Sequence, residues 1–260
     1  MDIKEVIRTR KSFRTFDGRE LSQEDKDALA AYAQTIENPY GIPVSFVWLD
    51  AAQYKLSSPV INGEHFYVAV KVPKVPRCEE ALGFSFEKLV LYAWSLGVGT
   101  TWIAGTMNRS RFEEAAQTGP DEFMMVVSPL GYPAAKQSFV DRRLRGSVRG
   151  DERLPFEQLF FEGDFATPLL DCDDAVKDAL EAVRWYPSAA NKQPCRVVKA
   201  GDAFHFYKKG SMGGAYRPWD TQKIDMGIAL CHFMSVAGGV LSIADPGIAA
   251  DAEYIATVTI

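Results

Sequence analysis

The sequence is poor in the residues that build metal centres and disulfide scaffolds. Its three histidines do not cluster, and its four cysteines (Cys78, Cys172, Cys195 and Cys231) are scattered with no pair at zinc-ligand spacing. No metal site is therefore expected, and reduced thiols in a cytoplasmic protein are the simplest account of the cysteines. No run approaches the ~20 apolar residues of a membrane-spanning helix. Met1–Glu5 also lacks the apolar core of a signal peptide. Positive charge is not in excess: 29 Lys and Arg face 34 Asp and Glu, a net charge of −5, whereas a nucleic-acid backbone calls for a basic face. Neither a nucleic acid nor a membrane is expected as a partner.

What is present is an ordinary globular composition. With 260 residues, 47% apolar and 24% charged, the chain is long enough for one large domain or two small ones. Its basic residues are unevenly spread. Lys4, Arg8, Arg10, Lys11, Arg14 and Arg19 crowd residues 1–20, and Lys136, Arg142, Arg143, Arg145, Arg149 and Arg153 crowd residues 136–153. Two local basic stretches in an acidic protein suit a small anion better than a polymer. Either stretch alone reads equally as a solvated loop.

The chain also repeats itself. Lys26-Asp27-Ala28-Leu29 returns as Lys177-Asp178-Ala179-Leu180, 151 residues later, and the same offset sets Ala31 on Ala182, Pro43 on Pro194 and Val47 on Val198. Element by element the series recurs. A helix over 23–35, capped by Ser22, answers one over 173–185. Strands at 43–49 and 65–71 answer strands at 195–199 and 203–208. An apolar helix over 79–96, closed by Gly97-Val98-Gly99, answers one over 222–237, with Gly83 on Gly227 and Ala93 on Ala237. The strand 123–128 answers 253–258, with Glu122 on Glu253. A short helix over 2–9, an extended run over 100–104 and a helix from Asn108 or Ser110 to about 117 complete the first copy.

Residues 131–155 are basic, lack apolar periodicity and read as an extended arm, with a short element over 155–161 packing it down. The second copy lacks this arm, the Gly-x-Gly turn and the basic N-terminus. The expected domains are 1–163, the first half with its arm, and 164–260, the shorter second half. A half of this size buries a fully apolar helix poorly by itself. The expected fold is α+β, an α/β sandwich of two similar halves about a pseudo-twofold axis, with antiparallel or mixed sheets and central buried helices meeting.

Four segments together resemble the nitroreductase family of FMN-dependent oxidoreductases. Arg8-Thr9-Arg10-Lys11-Ser12-Phe13-Arg14-Thr15-Phe16 is similar to its Arg-Arg-Ser-x-Arg-x-Phe opening. Pro187-Ser188-Ala189-Ala190-Asn191-Lys192-Gln193-Pro194 is similar to its Pro-Ser-x-x-Asn-x-Gln-Pro loop. Leu96-Gly97-Val98-Gly99-Thr100-Thr101-Trp102 and Gly131-Tyr132-Pro133 with Arg153-Leu154-Pro155 are similar to its Gly-x-Gly turn and its tail.

In ordinary members these segments form two FMN sites at the interface of a homodimer. Here the first half keeps the Arg-Lys-Ser segment, the turn and the tail, and the second keeps the Pro-Ser-x-x-Asn loop. The resemblance is thus to the subgroup in which one polypeptide mimics the dimer, with one composite site and a monomeric chain. It implies Arg10, Lys11 and Arg153 at the FMN phosphate, and Ser12 and Asn191 on ribityl or phosphate oxygens. Pro187, Ser188 and Ala189 would lie against the flavin ring, and the backbone of Ala104 and Gly105 would face its N5. Arg14 reaches the phosphate or the pyrimidine edge, or is a plain surface or helix contact.

The implied activity is reduction of a small-molecule acceptor, nitroaromatic or quinone-like, with NAD(P)H as co-substrate and no obligatory acid–base residue. The alternative is a non-catalytic flavin or nucleotide binder or sensor. Two features stand outside this pattern. Cys195 occupies a position where the family commonly has an aromatic, and Arg217-Pro218-Trp219-Asp220 is a pocket rim or a plain turn.

Overall fold

The computed structural model describes residues 2–210, 218–248 and 251–260. The elements run α1 (Ile3–Thr9), α2 (Gln23–Gln34), β1 (Ser45–Asp50), β2 (Phe66–Pro73), α3 (Cys78–Ser95), β3 (Gly99–Thr100), α4 (Arg109–Ala115), β4 (Glu122–Gly131), α5 (Phe139–Ser147) and β5 (Phe160–Glu162). They continue through α6 (Asp174–Arg184), β6 (Cys195–Ala200), β7 (Ala203–Lys208), α7 (Thr221–Ala237), β8 (Val240–Ser242) and β9 (Glu253–Thr259). The architecture is α+β, with two sheets ordered β1-β2-β4-β3 and β5-β6-β7-β9-β8. Apart from β5, the two orders are the same.

Local chemistry sets the element boundaries. Ser22 Oγ accepts from the Asp25 N–H at 3.0 Å and starts α2. Asn108 Oδ1 receives the Arg111 N–H and starts α4. Gly97, at φ +79, supplies the left-handed turn after α3. The second copy has Gly238 and Gly239 in that place, at φ +70 and +98. They turn the chain into β8, which pairs with β9 as β3 pairs with β4.

Contacts divide the chain into two compact units. One comprises Thr9–Cys78 and Ser85–Arg149; the other comprises Met1–Arg8, Glu79–Phe84 and Gly150–Ile260. These bounds differ from the repeat boundary at 163/164. Segment 150–163 joins the second unit because β5 pairs in parallel with β6, Phe160 opposite Val197 and Glu162 opposite Lys199. In the first unit, Leu49, Tyr67, Phe112, Met124 and Val127 form a core under the sheet. In the second, the buried run Ile224–Phe233 of α7 packs near Phe204 and Phe206.

Two expectations are corrected. Residues 139–147 of the arm are helical, with Ser138 as N-cap. The one buried residue of this helix is Asp141, so its inner face carries no apolar stripe to reveal it. The strand correspondence also slips by one residue. Both sheets bulge at matching places, Val70/Lys71 and Phe206/Tyr207, and from there the pairings set Phe123, not Glu122, against Glu253. Strands buried on both faces show no alternation to fix such a register.

Gly83 and Gly227, equated by the repeat, meet within the second unit. A Cβ on Gly83 would lie 2.1 Å from the Ile224 carbonyl oxygen and 3.2 Å from Gly227 Cα, and one on Gly227 would lie 2.1 Å from the Glu80 carbonyl oxygen. These are backbone clashes that no rotamer change relieves. Gly83→Ala and Gly227→Ala should each cost at least ~1–3 kcal/mol in urea unfolding. Gly146→Ala, in α5 with open space around it, should instead stabilise by ~0.5–1 kcal/mol. Equal effects at all three positions would refute the close crossing.

Candidate functional site

In the first unit, segment 10–14 is laid along β3: Ser12 bridges Thr100, and Phe13 N–H donates to Thr100 O at 2.8 Å. The Arg10 side chain is buried, with Nε 3.5 Å from Oε1 of the fully buried Glu87. Glu87 Oε2 accepts from Trp102 Nε1 at 3.1 Å. Arg10 Nε has no aligned hydrogen-bond acceptor among the described residues. Burial draws the Arg10 pKa down; Glu87 opposes that and the Arg145 charge adds to it. Arg145 Nη2 reaches Ser12 O at 3.4 Å, and Arg14 Nη1 lies 3.3 Å from Oδ1 of buried Asp141. Three guanidiniums thus border this short segment against two carboxylates. Lys11 is exposed.

Ala104 and Gly105 follow the Ile103–Val127 bridge. Arg109 Nη2 donates to Ala104 O at 2.7 Å and Nη1 to Met124 O, which pins the loop to β4. The N–H groups of Ala104 and Gly105 donate to no other described residue, and Gly105 is exposed.

In the second unit, the structure joins Arg153 to the 187–194 loop. Asn191 Nδ2 donates to Glu152 O at 3.0 Å, Arg153 Nη1 reaches Asn191 Oδ1 at 3.5 Å, and the guanidinium lies 5.1 Å from the centre of the Trp185 ring. Leu154 N–H donates to Gln193 Oε1 at 2.9 Å. The loop itself is contorted: Ala190, Asn191 and Gln193 adopt φ values of 50, 53 and 49. Left-handed backbone at a non-glycine residue persists only where surrounding bonds over-determine it. Here Ser188 Oγ accepts from Gln193 N–H at 2.9 Å, and Ala189 N–H donates to the Asp225 carboxylate at 3.0 Å. Pro187 and Ser188 are half-buried.

Asp225 and Glu87 were not foreseen. Asp225 is the single acid of α7, and Glu87 lies two turns beyond the acidic first turn of α3, amid apolar residues; an acid set in an apolar stretch was the available signal. The repeat makes them telling, because Gly83 on Gly227 sets Ala81 opposite Asp225 and Glu87 opposite Cys231. Each copy keeps only one of the two acids. Gln193 and Arg145 lay inside motifs already noted, without assigned roles.

Cys195 is buried at the start of β6, with its N–H donating to Tyr186 Oη at 3.0 Å. Burial pushes its thiol up to about 12, so it is a core residue and not a nucleophile. Arg217 lies outside the described residues. Trp219 is buried, and Asp220 caps α7 through Gln222 N–H while pairing with Lys208. Among the described residues, no helix is long and apolar enough to cross a membrane.

Two like-ordered sheets in an α+β chain are the layout of a nitroreductase-type fold. The family described as "Putative TM nitroreductase" matches residues 2–237, and the chain belongs to it. A solved "putative nitroreductase" from Thermotoga maritima MSB8 is similar over 100% of this chain and 94% of its own, at 21% identity and a TM-score of 0.64. A nitroreductase family protein from Clostridium novyi NT matches 55% of this chain and 91% of its own, at 19% identity and a TM-score of 0.45. One from Clostridium difficile 630 matches 61% and 96%, at 15% identity and a TM-score of 0.48. A comparison with curated proteins gives no match.

Burial raises the Asp225 pKa from 3.8 to about 8, with Asp220 adding to the rise and the Ala189 N–H opposing it. The folded chain therefore holds a proton that the unfolded chain releases above about 4. Stability from this group is fully present below pH ~4, falls as pH rises and levels off above about 8. Asp225→Asn keeps an acceptor for Ala189 and should remove this slope. Measured by urea unfolding, the variant should gain on the parent chain between pH 5 and pH 8; a constant difference across that range would refute the assignment.

Proposed function

We propose that the protein is an FMN-dependent NAD(P)H oxidoreductase of nitroreductase type. One FMN per chain is held at a composite site that draws on both repeats. The observation that carries this reading is complementary retention. The first copy keeps the Arg10–Arg14 segment and Glu87, the second keeps the 187–194 loop and Asp225, and neither copy keeps both. The encounter of Gly83 with its own counterpart supports an internal pseudo-dimer, and a monomer in solution.

The residues present fit the cofactor. A phosphate dianion suits Arg10, whose Nε still lacks an aligned acceptor, together with Lys11, Ser12, Arg14 and Arg145 around it. Arg153 and Asn191 are held together at the other part of the site. Pro187, Ser188 and Ala189 present a rigid, half-buried turn suited to a flat ring. The available N–H groups of Ala104 and Gly105 suit the flavin N5. When bound, FMN supplies the hydride chemistry, passing reducing equivalents from NAD(P)H to a nitroaromatic or quinone-like acceptor. The chain's part is to bind, orient and tune, and no acid–base side chain is assigned.

Purified protein should be yellow or become so with FMN, at one FMN per chain, and NAD(P)H should bleach it anaerobically. Arg10→Ala and Asn191→Ala should each weaken FMN binding by ~1–3 kcal/mol, read by flavin fluorescence titration. Protein that ignores added FMN would overturn the reading, and two FMN per chain would overturn the single site.

A further inference from the structure

We propose that the open edge of β1, with the cleft beside it, is a docking seat for an extended apolar segment of another protein chain. The reasoning starts from its counterpart. In the second unit, segment 153–162 lies on the outer edge of β6. Val197 N–H donates to Leu159 O at 2.9 Å, and Gly163 N–H donates to Lys199 O at 2.8 Å. Arg184 Nη1 reaches Leu154 O at 3.5 Å, Gln193 Oε1 accepts from Leu154 N–H, and Trp185 stacks under Arg153. Lys199 Nζ lies 3.7 Å from Glu162.

The 151-residue offset carries Arg184, Trp185, Gln193, Val197 and Lys199 onto Ala33, Gln34, Ile42, Phe46 and Trp48. All five of these line one cleft of about 700 Å³ in the first unit. β1 is the outermost strand of its sheet, and no described strand pairs with its other edge. The seat thus recurs position for position with its residues exchanged, while no described strand occupies it.

The substitutions say what the occupant is like. Ile42 stands in place of Gln193 and Trp48 in place of Lys199, so two polar contacts have become apolar ones. Arg184 has become Ala33, and Glu37 lines the cleft near the start of β1. A segment running parallel to β1, as β5 runs along β6, would set a basic residue near Glu37 and apolar side chains against Ile42 and Trp48. Its backbone would complete the free ladder of β1, the β-augmentation mode of peptide capture. The chain's own segment 153–162 is already seated on β6, and the occupant proposed for the β1 seat is a segment of another chain.

The probe is a synthetic peptide of residues 153–162 carrying Glu162→Leu, labelled at its N-terminus and titrated into the full chain. Saturable one-to-one binding is expected by fluorescence anisotropy. Amide exchange should slow at Ser45–Asp50 and stay unchanged at Cys195–Ala200. Trp48→Glu should weaken binding at least about tenfold, and Val240→Glu, on the exposed edge of β8, should leave it unchanged. The exchange measurement on the parent chain stands even where Trp48→Glu fails to fold. The proposal is overturned by no saturation up to about 1 mM or by equal binding of a scrambled peptide. Protection at Cys195–Ala200 instead of β1, or a chain that dimerises through β1 without peptide, would overturn it as well.

Discussion

Two backbones in contact at Gly83 and Gly227 set the terms for the rest of the structure. Glycine inside a helix costs roughly 1 kcal/mol against alanine, and α3 and α7 each accept that cost at the point where they meet. What is gained is close packing along two helices that are apolar on most sides, so α7 is buried from Ile224 through Phe233. The approach also fixes positions nearby. Asp225 lies two residues before Gly227, and its carboxylate receives the Ala189 N–H. The helix crossing is therefore one bond away from the 187–194 loop.

That loop is where strain is held. Three of the four residues Ala190 to Gln193 sit at positive φ, a conformation that costs on the order of 1–3 kcal/mol per residue. Four side chains offset it: Ser188, Asn191, Gln193 and, from outside the loop, Asp225. The corresponding loop of the first copy is relaxed differently. Asn38 closes it internally, donating to Ile42 O at 2.7 Å and to Ser85 Oγ at 3.1 Å. Ala81 stands in that copy where the second has Asp225. Loop and helix thus differ together between the two copies.

Sequence alone exposed whatever is written locally. Caps at Ser22 and Asn108, the Gly97 turn and the apolar helices all fell close to their observed bounds, because each is dictated by residues within one or two turns. The motif residues Arg153 and Asn191 were each singled out by local pattern, and their contact depends on the fold. What stayed hidden depends on distant partners. Helix α5 faces inward with Asp141, so nothing in its own pattern marks an inner face. The register of β9 is set by a bulge in β7, not by alternation. Glu87 and Asp225 stand out only when the copies are aligned, where each is matched by a thiol or an apolar residue, Cys231 and Ala81.

The same asymmetry bears on the sheet edges. An edge strand with free backbone groups invites pairing, and proteins blunt such edges with charge, shortness or a covering segment. β6 uses the last of these, since β5 lies along it. β1 keeps only the first two: it is six residues long, and its end residue Asp50 is charged and exposed. Those devices are weak beside a cleft floored by Phe46 and Trp48, whose rings reach Phe86 and Phe66 but remain half-exposed. A core that merely lost its cover would be expected to turn these positions polar. Instead Trp48 replaces the lysine found at the covered edge, and Ile42 replaces the glutamine. The first copy has become more apolar where it lacks a lid, which is the opposite of what solvent exposure alone would favour.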